Sequence, residues 1–294
     1  MSMYSNIELL SLDLDGTLLN KNGNISERNL TALKEASDQG IEIVFCTGRP
    51  YQFVQSLLAQ YKISYPAICS NGAIIVSKNG DFIRKTGFPS RLFEKLYDFL
   101  MKRGFYVEID SASGSYIDVQ IQSNMRVMMK EIYPKAREDQ IVKATQRKIN
   151  NGDIQYVPHA VQTFKQEEIL KLFVYDPRTE KIAKLKKEMA AFYDLVEITE
   201  SGGNDNLEIT LSQITKASGL IFYASYGGYS LKNTASIGDS FNDIGMFEVS
   251  GLAIAMKNAD PSIFAYCDAV IGDHELDGVA EFIHQIISTN LERR

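Results

Sequence analysis

The sequence holds 294 residues, 45% hydrophobic and 23% charged, which allows a sizeable core and, at ordinary domain sizes, two domains. Such a composition excludes a disordered or fibrous chain. The formal net charge of −6 offers no broad basic field for a phosphate backbone, so nucleic acid is not an expected partner.

The apolar stretch Ile7 to Leu12 is short, lacks a basic leader and runs directly into Asp13 and Asp15, so it is not read as a signal peptide. No apolar run approaches the roughly 20 residues needed to span a bilayer. A cytoplasmic protein without membrane partners is expected. Cys46, Cys69 and Cys267 are too few and too scattered for a disulfide framework or zinc cluster and read as buried thiols. His159, His274 and His284 show no ligand spacing.

In chain order, Ile7 to Leu12 reads as the first strand. Ser26 can cap a helix that carries Leu30 and Leu33 on one side and stops at Gly40. Ile41 to Cys46 forms the next strand, Pro50 opens a helix reaching about Tyr61, and Ala67 to Cys69 forms a third strand ending in the turn residues Ser70, Asn71 and Gly72. A middle region mixes strand-like pieces, Phe105 to Ile109 and Leu170 to Val174, with charged helices such as Glu180 to Phe192. Strands then return near Thr234 to Ile237, Leu252 to Ala255 and Ala269 to Ile271, before an amphipathic helix from about Val279 to Ile287. Tyr223, Tyr226 and Tyr229, spaced three apart, read as a helix face packed on a sheet.

This alternation predicts an α/β fold: a Rossmann-like, doubly wound parallel-sheet core from residues 1–84 and 210–294, with residues 85–209 inserted as an α+β domain. No linker rich in proline or glycine separates the two, so short hinges suited to a moving lid are expected.

Asp13 and Asp15 lie at the carboxyl end of the first strand, where open α/β sheets bind ligands. Asp239 and Asp243 follow another strand, in Gly238-Asp239-Ser240-Phe241-Asn242-Asp243. In a parallel sheet both strand ends open onto one place. Two like charges about 4 Å apart repel by roughly 4 kcal/mol at an effective dielectric near 20, so four carboxylates there call for a cation, and hard oxygen ligands favour Mg²⁺. Thr47 and Gly48 end the second strand with a hydroxyl and an unhindered backbone N–H suited to phosphate oxygens, and Lys216 can add a fixed positive charge. A nucleophilic carboxylate, a second carboxyl for proton transfer, a metal and phosphate donors are together the parts of phosphoryl transfer.

Asp13-Leu14-Asp15-Gly16-Thr17-Leu18-Leu19, Thr47-Gly48-Arg49, Lys216 and the 238–243 run resemble the four ordered motifs of the haloacid dehalogenase superfamily. Ser70-Asn71-Gly72-Ala73, Ala255-Met256-Lys257-Asn258-Ala259 and Asp277-Gly278-Val279-Ala280 extend the likeness to its Cof-type sugar-phosphatase branch, whose members carry a C2B-type cap in the middle of the chain. The resemblance implies a Mg²⁺-dependent phosphatase for small phosphorylated metabolites, sugar phosphates above all. Asp13 would attack phosphorus, and Asp15 would protonate the leaving group and then activate water. Mg²⁺ would be held by Asp13, the Asp15 backbone carbonyl and Asp239, with Asp243 in support. Thr47, the backbone of Leu14 and Gly48, Lys216 and Asn242 would bind the phosphoryl oxygens.

One departure is the third motif, where Gly-Val-Ser-Lys-Gly is common in the family and this chain has Gln213-Ile214-Thr215-Lys216-Ala217. The lysine persists without its glycines, and Lys232 is the alternative. Three rivals share some of these parts. A receiver domain stores phosphate but needs no second carboxyl, a phosphosugar mutase of the same superfamily returns the phosphoryl group to substrate, and a regulatory protein binds without turnover.

Overall fold

The computed structural model describes residues 6–132, 154–201 and 204–291. Contacts gather the chain into two compact units, one of Met1–Gly48, Lys62–Arg84 and Thr215–Arg294, the other of Arg49–Tyr61 and Lys85–Ile214.

The first unit begins with β1 (Leu9–Leu12), buried along its whole length as a central parallel strand must be. Ser26 accepts from the backbone N–H of Asn29 and caps the helix Glu27–Asp38, and Gly40, at φ +82, turns the chain into β2 (Glu42–Cys46). The helix Tyr51–Tyr61, which Gln52 ties to the Ala112 carbonyl at 2.6 Å, belongs to the second unit. After it come β3 (Ala67–Cys69), the antiparallel β4 (Ile74–Val76) and β5 (Phe82–Lys85).

In the second unit the helix Ser90–Met101 precedes β6 (Tyr106–Ser111) and β7 (Ser115–Asp118). β8 (Gln155–Val157), β9 (Ile169–Tyr175), the helix Thr179–Glu188, β10 (Val196–Thr199) and β11 (Asn206–Leu211) complete it. The sheet order is β10-β11-β9-β6-β7-β8, antiparallel apart from the β7–β8 pair. Alternation sends Val107, Ile109, Leu172, Val174, Leu207 and Ile209 into a core with Phe93, Leu96, Leu100, Ile182 and Leu185 from the helices. Their strand neighbours Glu108, Asp110, Lys171 and Glu208 are buried too, with the Lys171 ammonium 3.1 Å from Glu208 and 3.4 Å from Asp110.

The chain returns to the first unit through the helix Lys216–Gly227, then β12 (Thr234–Gly238), β13 (Leu252–Met256), β14 (Ala269–Ile271) and the helix Gly278–Leu291. The eight-stranded order is β14-β13-β12-β1-β2-β3-β4-β5, parallel from β14 through β3. This is the expected α/β class with a Rossmann-like core. Leu12 pairs with both Phe45 and Ile237, so β1, β2 and β12 end at one level.

β11 pairs with β10 as far as Leu211, and the units divide at Ile214/Thr215, within several residues of the 209/210 boundary. One detail differs from expectation. Of the three tyrosines only Tyr223 is buried. Tyr226 is 65% exposed, and Tyr229 lies past the end of its helix at Gly227.

Leu220 is wholly buried against Leu9, Val44 and Ile68. Leu220→Ala is expected to cost about 2–5 kcal/mol through lost transfer energy and the cavity left behind, read as a lower urea midpoint. An unchanged midpoint would contradict this packing.

Candidate active site

The common level of the strand ends brings distant segments together. Asp13 donates its backbone N–H to the Ile237 carbonyl at 3.0 Å, and Thr47 donates to that of Ile68 at 2.8 Å. The carboxylates of Asp13, Asp239 and Asp243 offer oxygens that all lie within 4.8 Å of one another.

Lys216 ties this cluster. It is the first residue of its helix, behind a capping box in which Thr215 and Ser218 exchange side-chain and backbone hydrogen bonds. Its ammonium, 2% exposed, donates to Asp13 Oδ1 at 2.7 Å and to Asp243 Oδ1 at 2.6 Å. Asp243 Oδ2 accepts from the backbone N–H groups of Asp239 and Ser240 at 3.0 and 2.9 Å, so both its oxygens are engaged. Asp243 thereby orients Lys216 and the Asp239 loop at once. Lys232 is exposed in the 3-10 turn Leu231–Asn233, which precedes β12 and lies away from these ends.

The loops have no room to spare. A Cβ at Gly16, whose φ is +72, would collide with the Asp239 carboxylate, and one at Gly238 with that of Asp243. Gln213, where the family pattern has glycine, takes φ +66, a left-handed conformation uncommon for a residue with a Cβ.

The remaining expected residues stand around this centre. Asp15 is exposed and acts electrostatically on Asp13 and Asp239 but is not one of the clustered carboxylates. The Leu14 carbonyl accepts from Thr17 and Leu19. Thr47 is buried, Gly48 follows it half-buried, and the Thr47 carbonyl accepts from the Asn71 N–H at 3.1 Å. Asn242 directs its Nδ2 toward Asn71 Oδ1 at 3.5 Å, while its own Oδ1 is buried with no partner among the described residues. Ser70, Asn71 and Gly72 turn there at φ +48, +55 and +99.

Three residues had no assigned role: Asn71, Asn258, which donates to the Gly16 carbonyl at 2.7 Å, and His274, whose Nδ1 meets the Leu19 carbonyl at 2.7 Å. Asn71 and Asn258 lie within the 70–73 and 255–259 stretches, but nothing in their spacing signals these contacts.

Electrostatics show what the cluster lacks. Burial pushes Asp13 well above the usual carboxylate range against the pull of Lys216, and Asp243, Asp239 and Asp15 push the same way. Asp239 is pushed up to about 7, first by burial and then by Asp243. Lys216 would be depressed by burial, but Asp13 and Asp243 outweigh that and hold it charged. One ammonium does not balance this many carboxylates, and the all-oxygen donor set fits a hard divalent cation. Beside it the Cys46 thiol, facing the Lys216 carbonyl at 3.8 Å, is pushed by burial to about 12. Cys69 is buried like Cys46, whereas Cys267 is only half-buried.

A sequence model described as haloacid dehalogenase-like hydrolase matches residues 10–283. The chain belongs to that family. It is 30% identical over 286 residues, 96% of this chain and 99% of the other, to the 5-amino-6-(5-phospho-D-ribitylamino)uracil phosphatase YwtE of Bacillus subtilis. Pyridoxal phosphate phosphatase YbhA of Escherichia coli is 26% identical over 94% of this chain and 97% of its own. Among solved structures, a haloacid dehalogenase-like hydrolase from B. subtilis superposes with a TM-score of 0.81 at 25% identity, covering 94% of this chain and 99% of that one. Within this family of hydrolases the chain falls among phosphatases, and no helix among the described residues is long and apolar enough to cross a membrane.

A carboxyl whose folded pKa stands above its unfolded value disfavours the folded state increasingly as pH rises from the unfolded pKa to the folded one. For Asp239 that window runs from 3.8 to about 7. In chelator, the melting temperature of Asp239→Asn relative to wild type is expected to climb across this window and then level off. An excess of a divalent cation that binds the cluster should flatten the difference. Parallel pH profiles in chelator would refute the assignment.

Proposed function

We propose that this protein is a magnesium-dependent phosphatase that hydrolyses small phosphorylated metabolites, sugar phosphates among them, through an aspartyl phosphate on Asp13. The observation carrying this reading is the convergence of Asp13, Asp239 and Asp243 at the ends of parallel strands, with one buried lysine paired to Asp13 and Asp243. That arrangement supplies a nucleophile with a fixed positive charge beside it.

In the first half-reaction an Asp13 oxygen bonds to phosphorus as the bond to the leaving oxygen breaks, and Asp15 gives that oxygen its proton. In the second, Asp15 takes a proton from water, the water oxygen bonds to phosphorus, and the Asp13–phosphorus bond breaks to release phosphate. Lys216 lies where charge on the phosphoryl oxygens grows. Thr47, the N–H groups of Leu14 and Gly48, and Asn242 would hold those oxygens, and the partnerless Asn242 side-chain oxygen supports a side chain that turns its amide when a ligand arrives. Asp13, the Asp15 carbonyl and Asp239 would hold Mg²⁺, which supplies charge neutralisation between the nucleophile and an anionic substrate.

The relatives named for a phosphoribityl and a pyridoxal ester share a small polar alcohol as leaving group, which supports that substrate class here. A screen of sugar phosphates, pyridoxal phosphate and phosphoribityl compounds, read by released phosphate, is expected to give turnover that stops on chelation and returns with Mg²⁺. Isomerised ester without free phosphate would point to a mutase, and a long-lived phosphoenzyme in wild type to a phosphate-storing switch.

Asp13→Asn is expected to lose about 10⁴-fold or more in kcat while still folding, read as a single cooperative melting transition. With p-nitrophenyl phosphate, whose leaving group departs without a proton, Asp15→Asn should instead accumulate a phosphoenzyme, trapped by acid quench. Appreciable turnover by Asp13→Asn would overturn the mechanism.

A further inference from the structure

The proton-transfer residue of this mechanism sits on a turn that is held from outside. Thr17 donates its N–H to the Leu14 carbonyl at 3.3 Å, which closes a four-residue turn with Asp15 second and Gly16, at φ +72, third. Leu19 donates to the same carbonyl at 2.8 Å. Asp13 behind the turn is fixed by its backbone bond to Ile237 and its side-chain bond to Lys216. Asp15 is exposed at the tip, and glycine in the next position presents little barrier to rotation of the peptide that follows.

That peptide is pinned by the loop after β13. Asn258 donates its side-chain amide to the Gly16 carbonyl at 2.7 Å and accepts at Oδ1 from the His274 backbone N–H at 3.1 Å. His274 in turn presents Nδ1 to the Leu19 carbonyl at 2.7 Å. A carbonyl only accepts, so Nδ1 carries the proton. The Asp15 turn is thus bracketed at Gly16 and Leu19 by two side chains from the carboxyl ends of β13 and β14. Asn258 is exposed, so this bridge is not a by-product of core packing.

We infer that Asn258 is a positioning residue for Asp15, assisted by His274: its amide fixes the Gly16–Thr17 peptide and so sets where the Asp15 carboxyl can exchange protons. The inference rests on the phosphatase reading above. Proton transfer demands heavy-atom distances of about 2.6–3.2 Å, and a displacement near 1 Å can cost on the order of 10²-fold in rate. The nucleophile does not depend on this bridge, so the two half-reactions should separate.

The test is rapid-quench kinetics of the full chain with Mg²⁺ and p-nitrophenyl phosphate, whose leaving group departs without a proton. Asn258→Ala is expected to release a burst of close to one equivalent of nitrophenolate, formed as fast as in wild type, while steady-state turnover falls about 10- to 100-fold and phosphoenzyme accumulates, with the melting temperature unchanged. His274→Ala should move the same way by less. Wild-type turnover in Asn258→Ala, or burst and turnover falling together, would overturn the inference. Asp13→Asn and Asp15→Asn run alongside. If wild type forms no Asp13-dependent phosphoenzyme, the phosphatase reading fails and takes this inference with it. If Asp15→Asn accumulates phosphoenzyme and Asn258→Ala behaves as wild type, only this inference falls.

Discussion

Lys216 is buried between two aspartates at the tips of a parallel sheet, and most of the first unit's geometry answers to that fact. An ammonium at the first position of a helix faces the positive end of the helix dipole, so the placement does nothing for the helix itself. Removing such a charge from water costs several kcal/mol unless it is paired and hydrogen-bonded. Asp13 and Asp243 supply the pairing, and the capping box at Thr215 and Ser218 fixes the helix start that aims the side chain. Asp243 then draws in the backbone of Asp239 and Ser240, which leaves Asp239 crowded against Gly16. Glycines at 16 and 238 follow from that crowding. The strands supply level, the lysine supplies convergence, and the resulting excess of negative charge is what a divalent cation would relieve.

Much of this was legible because it obeys local rules. β1, β2, β3 and the strands after residue 230 are short apolar runs bounded by turn residues, and they formed within a residue or two of expectation. The Ser26 cap and the reversal at Gly40 are local chemistry as well. Asp13, Asp239, Asp243 and Lys216 met because parallel strands of equal level leave their ends together. β4 and β5 were harder to see, since they fall within a single turn-rich stretch after Ser70 and β4 reverses direction.

Side-chain bridges between residues far apart in sequence leave no periodic trace. Asn258 and Gly16 are 242 positions apart, and only the fold makes one amide serve two loops. In the second unit, polar residues facing one another across β6, β9 and β11 look like solvent-facing positions of half-buried strands, yet Lys171 lies buried between Asp110 and Glu208. Alternation marks the two faces of such strands, but it carries no information about what covers the polar side. The tyrosines at 223, 226 and 229 fail for a simpler reason: three residues advance a helix by only 300°, and Gly228 ends this one in a left-handed turn before Tyr229.

Cys46 closes β2 within reach of the charged centre, and its surroundings decide its chemistry. Thiols react with oxidants and electrophiles as thiolates, and a sulfur sealed in the sheet with its proton retained to about pH 12 is a poor nucleophile at any physiological pH. For the carboxylate nucleophile proposed above, this leaves the sulfur nearest the site chemically silent, so oxidants should not act on the reaction through Cys46.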